Sequence, residues 1–462
     1  MSRTATEAAA ATVAHAPEAV VRHAGRLRGE PRLPGDKSIS HRALLLGLLA
    51  EGTSEVRGAG DGGDVRSTAA VVARLGARVE RVAERDGRVD YRVVSPGREA
   101  IEEPDGVLDC GNSGTTLRLV AGILAARPIF AVLDGDASLR SRPVARIVAP
   151  LSAMGATLAA RCRGTLAPVA ISGASPLRPI DHATAVPSAQ VKSAVILAGL
   201  GAEGTTTVRE TIATRDHTER MLRARGVAVR GVPWGADGAG VAVSVDGPAR
   251  VLATVEHVPA DPSAAAFWLV AGAAHPDAEL TLRAVGTNPS RRAIIDLLRR
   301  MGAEIDERPL GDPGQRDGAT GELVADLVVR SSDLRGIDIS PADVAAAIDE
   351  IPALCVAAAL ATGITTIRGA GELRHKESDR IAGMAAGLRE LGARVTVDGD
   401  AMTIEGGRRL VGAMTQTMHD HRLAMAFAIA GLIAGGETVV RDPDSAAISY
   451  PGFFDEIERM RA

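Results

Sequence analysis

The stretch EGTSEVRGAGDGGDVRSTAAVVARLGARVE, Glu51 to Glu80, decides the fold, because its order of features returns along the chain. It reads as a glycine turn, a short alternating strand ending in Arg57, a loop, an amphipathic helix, and Leu75-Gly76-Ala77 leading into a second strand. The glycine just past the helix supplies its C-cap. The same order recurs as EGTTTVRETIATRDHTERMLRARGVAV from Glu203, DAELTLRAVGTNPSRRAIIDLLRRMGAEI from Asp277 and TGITTIRGAGELRHKESDRIAGMAAGLRELGARV from Thr362. A more divergent copy starts at Arg127, and a last one, from Gly435, stops as its helix ends. The chain therefore carries six copies of one unit.

An Ala/Leu-rich segment precedes each copy: Ala43 to Ala50, Leu117 to Ala126, Val191 to Leu200, Ala264 to Ala274, Ile351 to Ala361 and Leu423 to Ala434. None has a polar face, so each predicts a buried helix. A polar cluster sits just before or at the start of each helix. Measured from Lys37, Thr115, Gln190, Ser263, Asp349 and His421, the clusters are 78, 75, 73, 86 and 72 residues apart. That period suits a small α/β unit and exceeds a solenoid repeat. Strands alternating with buried helices predict an α/β architecture in which sheets enclose helices.

The first cluster, LPGDKSISHR from Leu33 to Arg42, puts Lys37, Ser38 and Arg42 at a helix N-terminus. Cations gain nothing from the positive end of a helix dipole, so they make sense there if an anion sits between them. Symmetry-related units would point equivalent helix ends the same way, and several anion-binding ends could then converge. In LRHKESDR, Leu373 to Arg380, a helical reading puts Lys376 and Arg380 on one face with Glu377 beside them, an anion clamp carrying a proton donor. Surface ion pairing is the plainer explanation of such a run. Asp349-Glu350 ahead of a helix would ordinarily cap it, and Arg140 and Arg142 in LRSRP could be solvated charges. His421, between Asp420 and Arg422, is placed for a ligand. LPGDKS is not a nucleotide phosphate loop, because Asp36 stands where that motif needs glycine, and no strand leads into GxGxxG.

Composition narrows the classes further. The 462 residues carry a net charge of −4 and only 2% aromatics, which argues against a general nucleic-acid binder. Cys110, Cys162 and Cys355 lie far apart and suggest neither a zinc site nor disulfides, which fits a reducing cytoplasm. No apolar run is long and uncharged enough to span a bilayer. Residues 1–20 read as a frayed tail, not a signal peptide. The turn-rich segments Gly231 to Gly247 and Arg308 to Asp326 read as surface hairpins or mobile loops without chemistry.

LPGDKSISHR, GNSGTTLR, SRP, SAQVKSA, TRDHTERML, IDEIP, HKESDR and DHRLAM, in this order, resemble the 5-enolpyruvylshikimate-3-phosphate synthase family from about residue 25 onward. SAQVK, RDHTE and the aspartate of GDK resemble its class II branch, known for tolerance to glyphosate. The resemblance implies a two-domain inside-out α/β barrel with three units per domain. The domains would be 21–35 plus 259–462, and 36–258, with the active site in the cleft between them. The implied reaction transfers the enolpyruvyl group of phosphoenolpyruvate to the 5-hydroxyl of shikimate 3-phosphate, releasing phosphate, without metal or organic cofactor. A cytoplasmic monomer with no nucleic-acid or membrane partner is expected.

Matching the motifs residue by residue, the resemblance implies that Lys37, Ser38, Arg42, Ser188, Gln190, Arg215, Asp349 and Lys376 hold shikimate 3-phosphate. Lys37, Gly114, Arg142, Gln190, Arg380 and Arg422 would hold phosphoenolpyruvate, and Asn112, Thr115 and His421 are additional candidates. Asp349 would be the base, Glu377 the proton donor to carbon, and Lys37 would assist at the leaving phosphate. Some positions depart from the pattern. Gly114 stands where tolerant class II enzymes carry alanine, NPTR appears as Asn288-Pro289-Ser290-Arg291, and AISYP lacks the lysine of class I. The rival reading is the UDP-N-acetylglucosamine enolpyruvyl transferase, but Asp134 to Arg142 lacks the cysteine usual in its catalytic loop. A non-catalytic anion-binding protein is the other alternative.

Overall fold

A computed structural model describes residues 17–235, 238–311 and 321–461. Among these residues the strands form six small sheets, five of four strands and one of three, one for each copy of the repeat. In the first unit the strand Glu51–Gly60 pairs antiparallel with Arg88–Pro96, which pairs antiparallel with Arg78–Arg85. Its other edge takes a parallel strand, Val255–His257. The same plan of one parallel edge strand beside an antiparallel meander holds in four further sheets. Glycine just past the unit's amphipathic helix recurs as Gly76, Gly155, Gly226, Gly302 and Gly392, all in the left-handed region that ends a helix without a Cβ clash.

The origin of the edge strands shows how the chain is threaded. In the second, third and sixth units the parallel edge strand directly precedes the unit's buried helix, and in the fifth the short helix Pro341–Ala346 lies between them. At two places the strands are exchanged. Leu27–Gly29, ahead of the first helix, joins the fourth sheet beside Ala278–Gly286. Val255–His257, ahead of the fourth helix, joins the first sheet. The chain thus crosses from one half to the other through residues 30–36 and returns through 258–261.

Two hydrophobic cores follow the same division. One runs from Ile39 to Val258, and the other combines Val21 to Leu33 with Ala260 to Met460. Each half buries three apolar helices: Lys37–Leu49, Gly114–Ala125 and Ala189–Gly199, then Pro262–Ala274, Ile351–Leu360 and His421–Ile433. With so few aromatics, close approach depends on small residues. A Cβ on Gly122 would lie 2.2 Å from the Ala194 carbonyl oxygen of the neighbouring helix. The expected α/β architecture of six units, with helices enclosed by sheets, is present.

Several boundaries differ from the sequence reading. The first buried helix begins at Lys37, where its polar start was expected, and Asp36 caps it by accepting the Ile39 N–H at 2.9 Å. Of the tail expected over 1–20, residues 18–20 belong to a strand. Glu18–Arg22 is a strand paired antiparallel with Glu437–Arg441, and residues 1–16 lie outside the described residues. Lys376 and Arg380 do not share a helical face. Gly371–His375 is a 3₁₀ turn, and the next helix starts at Arg380 with Asp379 as its cap. Gly231 to Gly247 is largely a hairpin, Val229–Trp234 against Gly240–Gly247. The segment Arg308 to Asp326 contributes ends to two strands, and its residues 312–320 lie outside the described residues.

Candidate active site

Side chains from the polar clusters of the two halves meet one another. From the first half, Lys37 points its ammonium at Asp64 Oδ2, 3.1 Å away, while its backbone N–H donates to Asp261 Oδ2 of the other half at 3.1 Å. Asp64 had no sequence signal beyond lying in the template loop. Ser38 is half-buried, and its carbonyl accepts from Arg42 Nη1 at 3.0 Å. Arg42 is buried, donating also to Thr218 Oγ1 at 2.7 Å and Ser193 Oγ at 2.8 Å.

The second and third units supply a neutral and cationic wall. Arg142 donates to the Asn112 side-chain oxygen at 2.6 Å, to the Asn112 carbonyl at 3.1 Å and to Ser138 Oγ at 2.9 Å. Gln190 sits between Thr115, to which it donates at 2.9 Å, and Arg118, from which it accepts at 2.9 Å. Arg118 also bonds the Gly114 carbonyl at 3.2 Å, and sequence reasoning missed it because it lies within an apolar helix. Its signal was its place at the end of the GNSGTTLR motif, four residues from Gly114. Ser188 caps the third buried helix through Val191 N–H, and its own N–H meets Glu210 Oε1 at 3.3 Å. Arg140 instead pairs with Asp134 at the surface, as the plainer reading allowed.

The other half supplies the carboxylates. Glu350 occupies the N-cap position of the helix that follows, but its side chain makes no capping bond. Glu350 accepts from Ser263 Oγ, whereas Asp349 accepts from Arg215 Nη2 at 2.7 Å and lies 3.5 Å from Arg380 Nη1 and 3.8 Å from Arg422 Nη2. Arg380 is buried between Asp420, at 2.8 Å, and Glu377, at 2.5 Å. Arg142 approaches Glu377 from the opposite wall at 3.8 Å, and Arg146 meets Glu372 at 3.2 Å. His421 is buried, and neither ring nitrogen has a hydrogen-bond partner among the described residues.

Burial would push both acids toward neutrality, but the cations outweigh it. Arg422, Arg215, Lys376 and Arg380 hold Asp349 well below the usual carboxylate range. Arg380, with Arg142 and Lys37, does the same to Glu377. Burial lowers the Lys376 ammonium, with Arg380 adding to the effect and Asp349 opposing it. Burial, reinforced by Lys37, drops His421 to about 3, so its ring is neutral. The geometry therefore brings ionised carboxylates and an excess of Arg and Lys to one cleft. Such a surface binds small polyanions and can move protons beside them.

The chain matches the family model described as EPSP synthase (3-phosphoshikimate 1-carboxyvinyltransferase) over residues 21–457. It is 50% identical over 439 residues to a 3-phosphoshikimate 1-carboxyvinyltransferase of Gloeobacter violaceus, covering 95% of this chain and 98% of that protein. It is 49% identical over 438 residues to the protein of that name from Roseiflexus castenholzii, covering 94% and 98%. A solved EPSP synthase of Acinetobacter baumannii superposes with a TM-score of 0.83 at 38% identity, covering 96% of this chain and 98% of that one.

Proposed function

We propose, on the premise that the chain belongs to the EPSP synthase family, a division of labour among the residues that face the cleft. The enzyme transfers the enolpyruvyl group of phosphoenolpyruvate to the 5-hydroxyl of shikimate 3-phosphate with release of phosphate, a step of aromatic amino acid biosynthesis. The names of the relatives support this acceptor over UDP-N-acetylglucosamine. The two hydrophobic cores support two domains, 21–35 with 259–462 and 36–258, with the site between them.

On this reading Lys37, Ser38, Arg42, Ser188, Gln190, Arg215, Asp349 and Lys376 hold shikimate 3-phosphate. Lys37, Gly114, Arg142, Gln190, Arg380 and Arg422 hold phosphoenolpyruvate, with Asn112 orienting Arg142, Thr115 orienting Gln190, and His421 lining the wall. The 5-hydroxyl adds across the enol double bond while the methylene carbon takes a proton. The tetrahedral intermediate then loses phosphate and a proton from that carbon. Asp349 takes the hydroxyl proton, Glu377 serves the methylene carbon, and Lys37 stabilises the departing phosphate.

The observation that carries this reading is the cationic shell around each acid. With cations alone beside them, Asp349 is a weak base and Glu377 has no proton to give. A phosphate or carboxylate laid against those same cations offsets part of their field and shifts both acids upward. We also propose that the enzyme works as a cytoplasmic monomer, both walls of the cleft coming from one chain. Among the described residues, no helix is long and apolar enough to cross a membrane.

Phosphate release with phosphoenolpyruvate and either shikimate 3-phosphate or UDP-N-acetylglucosamine tests the reaction. Release with shikimate 3-phosphate alone is expected. Release only with the sugar nucleotide would overturn the acceptor, and release with neither would leave an anion-binding protein.

A further inference from the structure

The Asn288-Pro289-Ser290-Arg291 loop takes no part in the roles above, yet it touches both halves of the molecule. Asn288 is 2% exposed and follows the strand Ala278–Gly286. Its amide nitrogen donates to Asp216 Oδ1 and to Glu322 Oε2, each at 2.7 Å. Its amide oxygen accepts from the Ser290 N–H and Ser290 Oγ, each at 2.9 Å. That pair of donors fixes which end of the amide faces the carboxylates, because the flipped amide would lose all four bonds.

Asp216 belongs to the other half and directly follows Arg215. Its second oxygen accepts from Arg220 Nε at 2.8 Å, and Arg220 Nη1 donates to the Gly321 carbonyl at 2.8 Å. His217 Nδ1 meets Glu322 Oε1 at 2.7 Å. Residues 216, 217 and 220 of one half are therefore bonded to 288, 321 and 322 of the other, beside the Arg215–Asp349 contact. Burial would neutralise Asp216 and Glu322, but Asn288, His217 and Arg220 keep both low and ionised. A carboxamide is suited to this place. It gives one donor to each of two carboxylates and adds no charge between them. Arg291, at the other end of the loop, donates to Ser263 Oγ at 2.7 Å and lies 3.3 Å from Asp261 and 3.5 Å from Asp36. The loop is thus held at both ends beside the places where the chain crosses.

We propose that Asn288 is a positioning residue: by tying Asp216 to Glu322 across the cleft, it holds Arg215 at Asp349 and so preorganises the site for shikimate 3-phosphate. This rests on the reading that Arg215 binds that substrate. Without the tie, the 214–217 segment must be ordered by the substrate itself, which weakens its binding.

The test compares Asn288→Asp, Asn288→Ala and Arg215→Ala by steady-state kinetics and by calorimetric binding of shikimate 3-phosphate, with thermal unfolding as the check on folding. Asn288→Asp keeps the shape but sets a third carboxylate against two others. It is expected to raise KM and Kd for shikimate 3-phosphate by about tenfold or more, exceeding Asn288→Ala. KM for phosphoenolpyruvate should stay within about twofold, and kcat at saturation should fall less than affinity does. A purely packing role predicts the reverse order, with Asp tolerated and Ala damaging, and would overturn the proposal. So would an equal rise in both KM values. If Arg215→Ala leaves shikimate 3-phosphate binding intact, the assignment of Arg215 falls, and a binding loss in Asn288→Asp then refutes the route through Arg215. Should Asn288→Asp fail to fold, the double substitution Asn288→Ala with Asp216→Ala decides. Losses no larger than the greater single loss support the tie, and additive losses overturn it.

Discussion

Arg215 Nη2 donates to Asp349 Oδ2 at 2.7 Å, joining the two halves of the molecule directly. Its partner is also beside Arg380 and Arg422, so removing the carboxylate leaves three guanidinium groups with less compensation. Asp349→Ala should therefore lower kcat by about 10²–10⁴-fold, far more than it weakens the binding of shikimate 3-phosphate. A loss of turnover that greatly exceeds the loss of binding is the expected result of kinetics paired with calorimetry. Equal loss of both would make Asp349 structural.

Glu377 bonds Arg380 at 2.5 Å and faces Arg142 at 3.8 Å. Glu377→Gln keeps the volume and removes the exchangeable proton, and should depress kcat by about 10²-fold or more with KM for both substrates little changed. Exchange of the methylene hydrogens of phosphoenolpyruvate with solvent deuterium, followed by NMR, should slow in proportion. Exchange at the original rate would move the carbon acid elsewhere.

His421 gives a pH signature in stability. Its folded-state value of about 3 lies below the roughly 6.5 of an unfolded chain, so between the two the unfolded state holds the extra proton. Stability from this group is complete above about pH 6.5 and drains away as pH falls toward 3, with a slope reaching about 1.4 kcal/mol per pH unit. Denaturant midpoints between pH 7 and 4 should show this slope flattened in His421→Asn. An unchanged slope in that variant would show that other groups carry the acid sensitivity.

A Cβ on Gly114 would come 2.5 Å from Arg118 Nη1 and 3.7 Å from Arg142 Nη1. The first contact is with the end of a flexible side chain, so Gly114→Ala should fold. The displaced guanidinium and the added methyl should raise KM for phosphoenolpyruvate several-fold, by about 1 kcal/mol or less, and the inhibition constant of glyphosate by more. Equal shifts for both ligands would place the methyl outside the region where they differ.

The repeat was legible in the sequence because its helices are apolar on every face and its turns are marked by glycine. Lys37, Asp349 and Glu377 stand in the polar clusters at those turns and helix starts, whereas Arg142 read there as a solvated charge and Arg215 entered only through the resemblance to the family. What joins distant copies was not legible. Nothing local in Glu18–Arg22 names Glu437–Arg441 as its partner. Hydrogen bonds between residues 72 and 105 positions apart, Asn288 to Asp216 and His217 to Glu322, leave no periodic trace. Glu322 also sat in a turn-rich stretch that promised no chemistry. Arg118 was hidden by the opposite effect, a cation inside a pattern that reads as core.

The pairing of the first described strand with one of the last has a consequence for synthesis on the ribosome. Chain 36–258 contains every strand and helix of its own core, so it can mature while the remainder is still being made. The half that holds both termini must wait. Its sixth sheet cannot close until Glu437–Arg441 emerges and finds Glu18–Arg22, exposed since the beginning of translation. Until that pairing forms, Glu18–Arg22 is an unpaired strand edge.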